Sequence, residues 1–234
     1  MSVASAYAPA ISGPSEARLA FLRKVGVWTF LSLAATAVVA VLSTIFIAPV
    51  VYGFGRFGAM VAILGSFALS QYVARNMIYG QQKLPGLGLA AVGQGVSFGF
   101  LLLSTLSFGG AEAYSEGVRI IATAMGITAA SALGMLVYVW FNKSDLSMVK
   151  AGLSIMGLPM LVLMGVSFIF PIGGTFGLIL CAVFVVASGA SLLYRLNTVV
   201  HEFDESMHLE AAYEISMSLL VLLWNLISLL NRRR

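Results

Sequence analysis

The chain has 234 residues, 60% of them hydrophobic and only 9% charged, with a formal net charge of +4. A soluble domain carries roughly 25% charged residues, so most of this surface must face lipid rather than water. Lys and Arg flank apolar runs and form no basic patch with interleaved aromatics. This suits anionic headgroups of a bilayer and excludes nucleic acid as a partner.

A helix needs about 20 mostly apolar residues to cross about 30 Å of hydrocarbon. Residues 1–20, rich in Ala, Ser and Pro, read as a flexible tail. They lack the basic start and cleavage site of a signal peptide. Residues 21–234 form one domain with seven apolar runs: Val25 to Ile47 (ending before Pro49), Phe57 to Val73, Pro85 to Phe108, Val118 to Phe141, Ala151 to Phe170, Thr175 to Val200 and Ala211 to Leu230. The fold class is therefore all-α, an integral membrane bundle of seven transmembrane helices joined by short loops. Pro159, beside Gly157, should kink the fifth helix. In the third, Gly95 and Gly99 form a GxxxG step that lets backbones approach closely. Cys181, the single cysteine, excludes an internal disulfide and reads as a small core residue.

Orientation follows the distribution of basic residues. With a cytoplasmic N-terminus, Arg18, Arg23, Lys24, Arg75, Lys83, Lys143, Lys150 and Arg195 fall on the cytoplasmic side, and Arg56 and Arg119 on the other. The terminal Arg232, Arg233 and Arg234 break this bias if the last run crosses, which its length favours, and obey it if the run re-enters.

A polar side chain in lipid is costly unless it faces the bundle interior. At 100° per residue, Glu210, Glu214, Ser218, Val221, Asn225 and Ser228 fall within about 80° on the last helix, with Ser216 as an exception. The sixth carries Ser188, Ser191, Arg195 and Thr198 in a similar stripe. Facing each other, the two stripes would make a polar seam. Arg195 and Glu214 flank the intervening loop at similar depth. Two readings stay open: an ion pair acting as a gate, or two interfacial charges with Arg195 snorkelling to water.

The loop itself, with His201, Glu202, Asp204, Glu205 and His208 and running on to Glu210, is acidic and reads as an exposed handle for a partner. Asp204 or Ser206 could cap the last helix. The spacing fits no metal motif. No nucleophile–base pairing, paired intramembrane aspartate or phosphate-binding loop is present, so the chain is not expected to be an enzyme or to hold a cofactor or metal.

Three stretches occur in order: Phe21-Leu22-Arg23-Lys24-Val25-Gly26-Val27-Trp28-Thr29-Phe30 with Ala34-Ala35-Thr36-Ala37; Asn142-Lys143-Ser144-Asp145-Leu146-Ser147; and Tyr194 through His201 followed by a leucine-rich helix ending Leu226-Ile227-Ser228-Leu229-Leu230. Together they resemble the Bax inhibitor-1 family, in particular its bacterial YccA-like branch, over nearly the whole chain from Glu16. The resemblance implies seven helices with the last one central, in the bacterial inner membrane. It also implies a non-enzymatic role: modulating stress responses and membrane quality-control proteases, or a pH-dependent leak of Ca2+ or H+. Calcium-leaking members carry two aspartates sharing a proton, where this chain has Arg195 and Ser218. Glu214, one turn away, would meet an arginine instead of a carboxylate. Binding to a membrane-anchored ATP-dependent protease is therefore the first functional expectation, and an ion leak through the seam of the last two helices the second.

Overall fold

The computed structural model describes residues 16–106, 110–141 and 174–232, together with 146, 149 and 152. Among these residues all regular structure is helical, and six helices are long and apolar enough to cross a membrane. They are α1 (Glu16–Gly53), α2 (Phe57–Tyr79), α3 (Lys83–Leu106), α4 (Gly110–Phe141), α5 (Gly174–His201) and α6 (His208–Asn231). The fifth apolar run with Gly157 and Pro159 and most of the connector beginning at Asn142 lie outside the described residues. Helix α5 thus corresponds to the sixth run and α6 to the seventh.

Helix α1 departs from expectation at both ends. It starts at Glu16, inside the segment read as a tail, because Arg18 and Phe21 have tertiary partners: Phe21 is buried with Val25, Val199 and Ala211. It also runs past Pro49. A π-turn at Ser43–Ile47 loosens the helix, with the Ala48 N–H reaching back to Ser43 O, and Pro49 falls in the first turn after it, where its missing N–H does least damage. Likewise α2 does not stop at Val73 but passes through a second π-turn, Leu69–Val73, and ends at Tyr79. This extension brings Arg75 and Tyr79 onto a helix.

The helices alternate in direction. At the start of α1, Arg18 donates to Val199 O and Val200 O at the end of α5 and to Phe203 O just beyond it. His201, closing α5, lies 3.1 Å from Val139 O near the end of α4. Lys83, opening α3, meets Glu210 in the first turn of α6. One end of the bundle therefore holds the starts of α1, α3 and α6 and the finishes of α2, α4 and α5. Helix α4 ends and α5 begins at opposite ends. Helix α6 is continuous over His208–Asn231.

Helix α3 is the most buried described helix, with α6 second. The central place expected for the last helix is thus shared: α6 touches each of the other five, and α3 packs its glycines against α1 and α2. A Cβ on Gly95 would lie 2.5 Å from Val39 Cβ, and one on Gly99 2.5 Å from Ser43 Cβ. A Cβ on Gly93 would stand 2.6 Å from Ser66 O of α2. With lipid outside, such close packing rather than water exclusion holds the helices together. Large apolar side chains such as Phe30, Phe46, Phe57, Leu133, Phe176 and Val186 point outward. They would be a liability in water and suit acyl chains.

Candidate functional site

The helical repeat stacks Glu210, Glu214 and Ser218 on one face of α6, and all three are buried. Glu214 is the hub. Its side chain is 7% exposed and forms an ion pair with Arg195 of α5, whose side chain is 37% exposed. On the other side Tyr79 Oη donates to Glu214 Oε1 at 2.8 Å, and Arg75 approaches the same oxygen at 3.8 Å. One buried carboxylate thus receives two donors, from Arg195 and Tyr79 on two helices, with the Arg75 charge close by, which offsets its desolvation. Ser218 returns its hydroxyl proton to Glu214 O, within the helix.

The cluster walls a cavity of about 70 Å³ between α2, α5 and α6. Gln71 and Arg75 line it from α2, Ser188, Ser191 and Arg195 from α5, and Tyr213, Glu214, Met217, Ser218 and Val221 from α6. A water needs about 15 Å³ of such space, so a few waters fit. Of the seam read from the sequence, Ser188, Ser191 and Ser218 meet here. Asn225 and Ser228 do not line the cavity: Asn225 lies further along α6 and donates to Phe184 O at 3.4 Å. Ser216, the exception to the stripe, faces α1, with its hydroxyl 3.5 Å from that of Ser32.

Beside the cavity a second buried network fixes α2. The π-turn diverts the Ala74 N–H to Leu69 O, and Ser70 O accepts from Tyr213 Oη at 3.0 Å. The Ser70 hydroxyl accepts from Gln94 of α3 at 2.8 Å. A π-turn that redirects a backbone hydrogen bond toward a side chain is a recurrent feature of functional helices.

The connection between α5 and α6 differs from its reading as a uniformly exposed acidic handle. Glu202, Asp204 and Glu205 are exposed, but His201 and His208 are half-buried. Glu210 is 2% exposed and paired with Lys83 at 2.6 Å. Its position, one turn before Glu214, puts it on the inward face of α6, and that packing overrides its place next to an acidic loop. Neither Asp204 nor Ser206 caps α6. The N-cap is Met207, without a side-chain bond. Asp204 instead accepts the Ser206 N–H at 2.9 Å, closing a local turn. That N–H and the Ser206 hydroxyl, with Arg18 nearby, hold the Asp204 carboxyl below the usual carboxylate range.

Arg75, Tyr79, Tyr213 and Gln71 had no place in the sequence-derived site. Arg75 and Tyr79 lie past the point where the hydropathy of α2 falls off, Gln71 sits on α2, where no stripe was read, and Tyr213 is beside, not on, the stripe of the last helix. Tyr213 does carry one usable signal, since it neighbours Glu214 in an otherwise apolar helix. Among the described residues no group of His, Cys, Asp or Glu is arranged to hold a metal ion.

No curated protein and no solved structure matches the chain significantly. The family model described as inhibitor of apoptosis-promoting Bax1 matches residues 18–234, a stretch that takes in Arg18, the α2–α5–α6 cavity and all the described helices but the first two residues of α1. With that match over a multi-pass helical bundle, the chain belongs to the Bax inhibitor-1 family.

Proposed function

We propose that this is a non-enzymatic regulator of stress response or membrane-protein quality control that docks onto a membrane-anchored ATP-dependent protease. The reading places it in the YccA-like branch, in a bacterial inner membrane with a cytoplasmic N-terminus. It takes the fifth apolar run as a seventh crossing, because α4 ends and α5 starts at opposite ends of the bundle. The observation that carries it is the clamp of Arg18 on the α5–α6 connection. Three backbone carbonyls accept from one guanidinium, so the exposed Glu202, Asp204 and Glu205 sit on a fixed platform at the membrane rim. A rigid acidic face loses little entropy on docking and steers a basic partner.

The test is affinity purification from native membranes in mild detergent, comparing the wild type with the triple charge reversal Glu202→Lys, Asp204→Lys, Glu205→Lys. The protease should co-purify with the first and be lost from the second. Equal recovery of the protease, or none with the wild type, overturns the proposal.

The second reading is a pH-dependent calcium or other ion leak through the α5–α6 seam, and the polar cavity favours it. The two guanidinium groups on its wall oppose a divalent cation. Proteoliposomes as tight as protein-free vesicles from about pH 5 to 8, where histidine and perturbed carboxylates titrate, would end this reading.

A further inference from the structure

The cavity between α2, α5 and α6 carries more positive than negative charge. Glu214 is the one carboxylate on its wall, and Arg195 is already paired with it. Arg75 reaches that carboxylate only at 3.8 Å and keeps 55% of its side chain exposed. Its other partner is the Tyr79 ring, 5.6 Å away. The adjacent Lys83–Glu210 pair adds no net charge. The cavity wall thus carries two guanidinium charges against one carboxylate among the described residues, an excess of one positive charge.

The rest of the wall presents donors. Ser188 and Ser218 spend their hydroxyl protons on Val185 O and Glu214 O. Tyr213 spends its own on Ser70 O. The Ser191 hydroxyl and the Gln71 amide, by contrast, border the cavity and make no hydrogen bond among the described residues. From these contacts we infer that the cavity is a binding site for a small monovalent anion of the halide class, held by Arg75 and Arg195 with Ser191 and Gln71. At about 70 Å³ the space takes such an ion with residual waters. Guanidinium is weakly hydrated and surrenders water readily to a large, soft anion.

The site makes two opposite predictions for neutralising its two kinds of charge. Purified full-length protein in an uncharged detergent is titrated with chloride, and binding is read from chlorine NMR line broadening. Gluconate, too large to enter, holds ionic strength constant. The wild type should broaden the line, and bromide should compete. Arg75→Gln should weaken binding about tenfold, the scale of one charge-assisted hydrogen bond, while Arg75→Lys retains most of it. Glu214→Gln removes the competing negative charge and should tighten binding several-fold. Wild-type broadening no greater than that of Arg75→Gln overturns the site, and so does weaker binding by Glu214→Gln. If Arg75→Gln fails to fold, the Lys variant and Glu214→Gln decide. Loss of the chloride signal on adding phosphatidylglycerol would assign the cavity to a lipid phosphate and overturn the free ion.

Discussion

Replacing Gly95 with alanine should separate α3 from α1, and the cost can be worked from the packing. The new Cβ would meet Val39 Cβ at 2.5 Å, Val39 Cγ1 at 2.7 Å and Thr36 O at 2.9 Å. Carbon atoms rest about 3.5–4.0 Å apart, so α1 must retreat by roughly 1 Å, because no Val39 rotamer moves its Cβ or the Thr36 carbonyl. Overpacking of this kind costs about 1–3 kcal/mol, against a gain of at most about 1 kcal/mol from alanine's higher helix propensity. With that gain subtracted in full, the net loss should be up to about 2 kcal/mol. Gly88, on the same helix, is the internal control: no heavy atom lies within 4 Å of its hypothetical Cβ, so Gly88→Ala should be neutral or stabilising by up to about 1 kcal/mol. Unfolding in mixed micelles, followed by tryptophan fluorescence and far-UV circular dichroism, compares the two. If Gly95→Ala proves as stable as Gly88→Ala, the close approach of α3 and α1 is wrong.

Removing Arg195 strands a buried carboxylate, but Tyr79 and Arg75 still serve it, and Arg195 is itself partly exposed. Arg195→Ala should therefore cost about 1–3 kcal/mol rather than the larger loss of a fully isolated charge; adding Glu214→Ala should recover part of it in a double-mutant cycle. Tyr213→Phe leaves Ser70 O without its side-chain partner beside the π-turn, which should cost about 1 kcal/mol and speed hydrogen exchange in the second half of α2. The Asp204 turn predicts a pH effect whose sign follows from its lowered folded-state pKa. The turn is favoured while the carboxylate is ionised, above the unfolded value of about 3.9, and is lost as pH falls through the lower folded value. Protection of the Ser206 amide should drop in that acid window, and Asp204→Asn should abolish the dependence.

The division between what could be read in the chain and what needed the fold runs through particular residues. Six of the apolar runs, the GxxxG step at Gly95 and Gly99 and the inward placement of Glu210, Glu214 and Ser218 on the last helix were legible, because each depends on spacing along one helix. The pairing of Glu214 with Arg195 could be named only as one of two readings, since similar depth does not fix which faces meet. The ends of α1 and α2 were misjudged because hydropathy falls away before the helix does. Arg18 and Arg75 are polar residues that tertiary partners retain in helix.

Sequence alone determined the solvent of this protein: runs so apolar, with charges so few, need lipid around them, and that requirement is additive and local. Only the tertiary structure decided where the inward charges meet. Arg75, Tyr79, Arg195 and Glu214 come from three helices, with α2 far in the chain from the consecutive α5 and α6, so rotation and depth of each helix set their contacts. Those are fixed by backbone packing at Gly93, Gly95 and Gly99 and by a π-turn at Leu69–Val73, which shifts the helical phase before Arg75 in a way no uniform 100° repeat anticipates.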